Sequence, residues 1–471
     1  MDRKSPATRS GGRARRGRRE KAERKLLERV HLNAAGIDVG SRSHWVAVPA
    51  DRDPQPVREF QSVTHPLLEL ADWLEACGID TVAMESTGVY WIPLYEILEE
   101  RGFEVLLVNA RHAKNVPGRK SDVLDCQWIQ ELHTFGLLRG SFRPEADIVA
   151  LRTLLRHRDK LVQDAAMYTQ RMQKALTLMN VQLHHVISDV TGVTGMAILR
   201  EIAAGETDPA RLARHRDHRC KASEAEITAA LTGSYREEHL FVLRQALEVY
   251  DFFREKLKRC DEEIEAHLCR LEARCEPPTQ SLPAPRSRRG RKFQDNAPSF
   301  EIRSPLYQLT GGVDVTELPG IAPYGALKLI SEIGVDMHRW PTEKHFVSWL
   351  TLAPRNEVSG GKLLASRTQP SANRAAKTFR MAAMTIGRSD HALGAFYRRL
   401  AVRVDKPKAI TATARKIALL FYRMLKHKMS YIGIPASEYD ERQRQRLLRT
   451  LAKRARSLGL DLVDASTGLV M

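Results

Sequence analysis

Two aspartates three residues apart, Asp122 and Asp125, stand in GRKSDVLDCQWI just behind a basic turn. On a helix, residues i and i+3 share a face, so both carboxylates can point at one spot. Two further acids close apolar runs: Asp38 in GIDVGS and Glu85 in AMESTG. Four carboxylates brought together do not stay ionised without a compensating cation. Hard oxygen donors with no organised His/Cys set point to Mg²⁺ or Mn²⁺, ions that take carboxylates together with substrate phosphate. Two such ions about 4 Å apart activate one oxygen and stabilise the departing one in phosphodiester cleavage. Each acid also has an ordinary reading, Asp122 as a helix N-cap and Asp38 as a turn residue after a strand. One acid at each of three chain-distant element ends favours the metal.

A second candidate lies far along the chain, in WLTLAPRNEVSGGKLLASRTQPSANRAAKTFRMAA. Here Val358-Ser359-Gly360-Gly361 interrupts helical patterns with a flexible turn flanked by Arg355, Lys362, Arg367 and Arg374. A serine hydroxyl is a weak nucleophile, but surrounding cations can stabilise a phosphoryl transition state. The alternative is a polar loop with an ordinary serine. The six cysteines show no disulfide framework, which fits a reducing compartment. Three of them flank His267 in CDEEIEAHLCRLEARC at a spacing that matches no zinc module.

The elements that must position the acids are legible upstream. AAGIDVG, HWVAVPA and PVREFQSV read as strands of an antiparallel meander, separated by Gly40-Ser41 and by Asp51 to Pro54. PLLELADWLEACG is a helix, TVAMEST a strand, YWIPLYEILEERG a helix and FEVLLVNA a buried strand; Asp122 then opens another helix. In a three-layer α/β fold of this order the first and fourth strands lie side by side, which makes Asp38 and Glu85 neighbours.

Downstream, Ile148 to about Leu183 and Tyr235 to about Arg274 are helical. Leu240, Leu243, Leu247, Tyr250, Leu257, Ile264, Leu268 and Leu271 follow a 3/4 spacing, with Arg254 and Asp261 at seam positions. An imperfect coiled coil and an amphipathic helix lying on its own domain are both compatible with this pattern. EPPTQSLPAPRSRRGRKFQDNAPSF is a proline-rich basic linker, and ELPGIAPYGALKLISEIG reads as a helix–hairpin–helix-like element with a helix from about Tyr324. A helix start of that kind can bind phosphate; a plain packing unit is the alternative.

At 471 residues the chain is too long for one ordinary core. Its net charge of +18 attracts polyanions, nucleic acid being the commonest, and RKSPATRSGGRARRGRREKAERK forms a disordered basic arm. No apolar run approaches the roughly 20 residues of a bilayer span.

The D…E…D-x-x-D set, in the context GIDVGS, MESTG and VNARHAKNVPGRKSDVLDCQWI, resembles the RuvC-like, RNase H-fold domain of the DEDD insertion-sequence transposases. PGIAPYGA, WLTLAPRNEVSGGK and SANRAAKTFRMAA follow in the order of that family's C-terminal transposase domain. The resemblance implies metal-ligand roles for Asp38, Glu85, Asp122 and Asp125, with Lys120 and Ser121 in the same block. It also implies a covalent DNA nucleophile in the SG motif, which is Ser359, with Ser366 as second choice. Where the family carries Gly-Asn, this chain has Ser371-Ala372-Asn373.

The expected fold is α/β plus all-α: a RuvC-like RNase H-fold domain at 32–145 behind the arm at 1–31, then a helical and coiled-coil region at 146–275. The linker at 276–300, a mainly helical C-terminal transposase domain at 301–430 and a helical tail at 431–471 complete it. The resemblance implies a DNA recombinase using Mg²⁺ (or Mn²⁺), with DNA and an element-encoded guide (bridge) RNA as partners. A homo-oligomer follows, a dimer assembling to a tetramer, with acids from one subunit and serine from another, in a bacterial cytoplasm and away from membranes. The rivals are a metal-dependent structure-specific (Holliday-junction-type) endonuclease using the four acids alone, and a catalytically inactive nucleic-acid-binding relic.

Overall fold

The computed structural model describes residues 28–109, 122–278, 282, 296–463 and 465. Residues 1–27 of the expected arm, the stretch holding Lys120 and Ser121, most of the 276–300 linker and the end of the tail lie outside the described residues. The chain divides into two compact units, residues 1–143 and 144–471.

In the first unit, β1 (Ala34–Val39), β2 (Ser43–Ala47) and β3 (Val57–Gln61) form an antiparallel meander. There follow α1 (Thr64–Ala76), β4 (Thr81–Glu85), α2 (Trp91–Glu100), β5 (Glu104–Val108) and α3 (Asp122–Thr134). The strand β4 lies parallel to β1, and β5 parallel to β4, so the mixed sheet runs β3-β2-β1-β4-β5. Helices α1 and α2 cover one face, where Leu70, Leu74, Leu94 and Leu98 pack with Ile37, Val46 and Met84. On the other face Ile129 of α3 packs with Ala83. Strands buried on both sides read as nearly continuous apolar runs, and β1 and β4 do so apart from their acids.

In the second unit the helices Ala146–Leu178 and Glu237–Arg270 run antiparallel along each other, with His267 against Asp147 and Cys260 against Leu154. The heptad-like leucines therefore pack on the chain's own helix. Four short helices between the two close a core around Met172, Leu199, Leu212 and Leu243. The two polar seam positions part company. Arg254 is exposed, whereas Asp261 is buried and pairs with the buried Arg158 of the opposite helix. Arg158 also donates to Tyr324 Oη at 3.0 Å and to the Asn296 carbonyl at 2.9 Å, which ties the Pro323–Ile333 helix to the pair. Burial pushes the Tyr324 hydroxyl pKa up.

The remaining helices surround Phe346, Phe379 and Phe421, all fully buried. Among them stand two strands, β6 (Arg355–Ser359) and β7 (Lys362–Arg367), where a flexible turn between helical patterns was expected. Gly360 and Gly361 adopt φ of +55° and +75°, the left-handed pair that a two-residue hairpin turn requires. This turn chemistry outweighs the helical periodicity on either side.

Candidate active site

The acids reach one end of the sheet through register and alternation. Ile37 pairs with Met84 across the parallel β1–β4 ladder, so Asp38 and Glu85 occupy the next positions on adjacent strands. Neighbouring strands lie about 4.8 Å apart. Ile37 and Met84 point into the core under α1 and α2. Successive residues alternate faces, so Asp38 and Glu85 share the opposite face with Gly36 and Ala83, the face that α3 covers.

Helix α3 runs antiparallel to β1. At its C-terminal end the Thr134 carbonyl accepts from the backbone N–H groups of Val30 and His31, at 2.8 and 3.0 Å. One turn earlier, Gln130 Nε2 donates to the Ala34 carbonyl at 3.3 Å. The first turn, which carries Asp122 and Asp125, therefore lies toward the Asp38 and Glu85 end. Close packing depends on Gly36. A Cβ there would lie 2.2 Å from the Gln130 backbone nitrogen and 2.4 Å from the Cys126 carbonyl oxygen.

Glu85 is buried, and its Oε1 accepts from Thr87 Oγ1 at 2.9 Å. Cys126 is buried between helix and sheet, its Sγ 3.1 Å from the Val123 carbonyl. Burial pushes its thiol up to about 12, and the carboxylates of Asp38 and Asp125 add to the rise. Both carboxylates thus act on one sulfur atom, one from the strand and one from the helix. The acids at this end of the sheet offer carboxylate oxygens as donors. That donor chemistry fits a hard divalent cation. Among the described residues, no group of three or more His, Cys, Asp or Glu side chains is arranged to hold an ion. The carboxylates share an end of the sheet without forming a finished cage.

Ser359 belongs to the second unit. It ends β6 at the hairpin tip, opposite Lys362, on a strand exposed along its whole length. Its hydroxyl makes no side-chain hydrogen bond among the described residues, whereas Ser366 Oγ donates to Asn356 Oδ1 at 2.8 Å. Arg355 faces Arg367 across the ladder, like charges directly opposed. At the Ser371-Ala372-Asn373 departure, Asn373 caps the Arg374–Thr385 helix by accepting from the Ala376 N–H at 2.9 Å. The two-strand hairpin was the feature that periodicity missed; Gly-Gly between two short runs was the available signal.

Strand-end acids thus stand beside an acid-bearing helix in a chain of net charge +18. Two family models match in chain order: one described as Transposase, of the DEDD IS110 type, over residues 35–181, and one described as Transposase IS116/IS110/IS902 family over residues 314–398. The chain belongs to the IS110-type transposases, enzymes that act on DNA. The first domain implies dependence on a divalent metal. No curated protein matches the chain. No helix among the described residues is long and apolar enough to cross a membrane.

Proposed function

We propose that this transposase cuts and rejoins DNA strands with Asp38, Glu85, Asp122 and Asp125 as metal ligands and Ser359 as nucleophile. The observation that supports the reading is that Asp38 and Glu85 close adjacent strands at the sheet end toward which the first turn of α3 lies, in a chain with both transposase domains. The order β3-β2-β1-β4-β5, with β2 antiparallel, supports an RNase H-like (RuvC-like) sheet. The helices Arg303–Leu309 and Pro323–Ile333 support a helix–hairpin–helix-like element.

Mg²⁺ or Mn²⁺, when bound, supplies charge that polarises a phosphate oxygen. Asp38, Glu85, Asp122 and Asp125 would hold the ion through carboxylate oxygens. Ser359 Oγ attacks the phosphorus of a phosphodiester. A serine–phosphate bond forms while the bond to the departing sugar oxygen breaks. The hydroxyl proton leaves to solvent, and the sugar oxygen takes one up. Attack by the hydroxyl of another strand reverses the step, freeing the serine and joining the exchanged strands. The opposed Arg355 and Arg367, with Lys362 beside Ser359, supply positive charge that a phosphoryl transition state offsets.

The partners in this reading are DNA at the element ends and target, an element-encoded guide RNA, and further copies of the chain. A dimer assembling to a tetramer supplies acids and serine from different subunits, in the cytoplasm and at the nucleoid. The net charge of +18 supports polyanionic partners. The test is strand transfer with a labelled DNA substrate. Asp122→Ala and Ser359→Ala each abolish product, and the covalent DNA–protein adduct disappears in Ser359→Ala but persists in Ser366→Ala. Cleavage retained by Ser359→Ala overturns the serine mechanism in favour of an endonuclease that uses water.

A further inference from the structure

We infer that the junction of the helices Ala392–Arg403, Lys406–His427 and Ala436–Ser457 docks the phosphodiester backbone of a nucleic acid, with Arg399, Lys416 and Arg446 as its cations. The inference rests on the nucleic-acid reading above and lies outside both matched stretches, 35–181 and 314–398, save that the first helix begins within the second.

Lys416 is half-buried, its Nζ 3.9 Å from the centre of the Phe396 ring. The charges that act on it come from Arg399 and Arg446, one from each neighbouring helix, and both are positive. Burial first, then these two guanidiniums, hold its pKa below the ordinary lysine value. Arg399 lies over Tyr439 and donates to its hydroxyl at 2.9 Å, an aromatic partner that leaves its charge uncompensated. None of the three cations has an ion pair among the described residues. Of the acids at the start of the Ala436–Ser457 helix, Glu438 pairs with Arg442 and Glu441 with Arg444, while Asp440 makes no ion pair among the described residues. The adjacent Arg415 keeps a buried Nε with no partner among the described residues.

A cation serving solubility alone extends into water, whereas Lys416 is half-buried. Three cations converging from three helices repel one another in the free protein. The arrangement becomes favourable when an anion sits among them, and arginine's planar fork suits phosphate oxygens. The phosphodiester backbone, with one negative charge per nucleotide, is the part of a nucleic acid that supplies such an anion.

The experiment uses the full chain and two probes, a duplex DNA of about 30 base pairs and a single-stranded RNA of similar length, between about 50 and 200 mM salt. The triple variant Arg399→Gln/Lys416→Met/Arg446→Gln is compared with wild type, and Arg446→Gln alone serves as the variant on an exposed position. Each phosphate neutralised contributes about 0.9 to the salt slope on the duplex and about 0.7 on the single strand. The triple variant loses about one to two from that slope on at least one probe, and the affected probe names the nucleic acid held there. Its unfolding midpoint without nucleic acid stays level or rises, because mutual repulsion is removed. Wild-type binding with unchanged slopes on both probes overturns the junction and leaves the catalytic reading intact. Wild type binding neither probe removes both. In parallel, Asp122→Ala that loses strand transfer but keeps the wild-type slope separates the catalytic site from the junction.

Discussion

Gly36→Ala tests whether the helix that carries Asp122 and Asp125 is held where the strand acids end. The added Cβ would lie 2.2 Å from the Gln130 nitrogen and 2.4 Å from the Cys126 oxygen, where ordinary contact begins at 3.4 Å. Both obstacles are backbone atoms of α3, so no side-chain rotation relieves them. The helix must retreat from β1 by roughly 1 Å, and overpacking of this kind costs about 1–3 kcal/mol. The retreat also draws Asp122 and Asp125 away from Asp38, and a misplacement of about 1 Å can cost about a hundredfold in rate. Gly325→Ala is the matched control. It sits in the Pro323–Ile333 helix with nothing within 4 Å of its would-be Cβ, so alanine there stabilises by about 0.5–1 kcal/mol. Urea unfolding measures the first effect, and strand transfer at equal folded fraction measures the second. Gly36→Ala unfolding within about 0.5 kcal/mol of wild type, with strand transfer intact, would refute the close-approach argument.

His133 is buried, 2.9 Å from Thr81 Oγ1 and stacked on His31, and burial chiefly holds its pKa down at about 4 against an ordinary 6.5. The unfolded chain therefore takes a proton below about pH 6.5 that the folded chain refuses until about pH 4. Stability is whole above that window and falls by about 3 kcal/mol as pH drops through it. His44, buried and likewise lowered, acts in the same sense. Fluorescence-detected urea unfolding from pH 7.5 to 4.5 reads this, because Trp45, Trp73, Trp91 and Trp128 lie in the first unit. His133→Phe should remove much of the slope, and an unchanged slope counts against the assignment. In the second unit, Asp261→Ala leaves the buried Arg158 without its carboxylate and costs about 3–5 kcal/mol. Arg158→Met combined with Asp261→Leu restores most of that loss; a double variant as unstable as the single one contradicts the pairing.

Much of the first unit was legible in advance because its signals are local. The short apolar runs in AAGIDVG and TVAMEST mark strands, and an acid closing each run stands out against residues buried on both faces. The Gly360-Gly361 hairpin was hidden by helical patterns on both sides, although its turn chemistry was present. The heptad-like spacing of the Glu237–Arg270 helix told which face is apolar but not what covers it.

By itself the sequence determined the elements of the first unit and their order, the acids at their ends, and the positive charge that selects polyanions. Those follow from backbone periodicity and composition, which act over a few residues at a time. Only the tertiary structure decided that α3 lies antiparallel against Gly36, that Asp261 meets Arg158, and that Arg399, Lys416 and Arg446 converge. These outcomes depend on which chain-distant groups lose water together. Desolvation, pairing and repulsion take their size from such neighbours, and no stretch of sequence carries its own list of them.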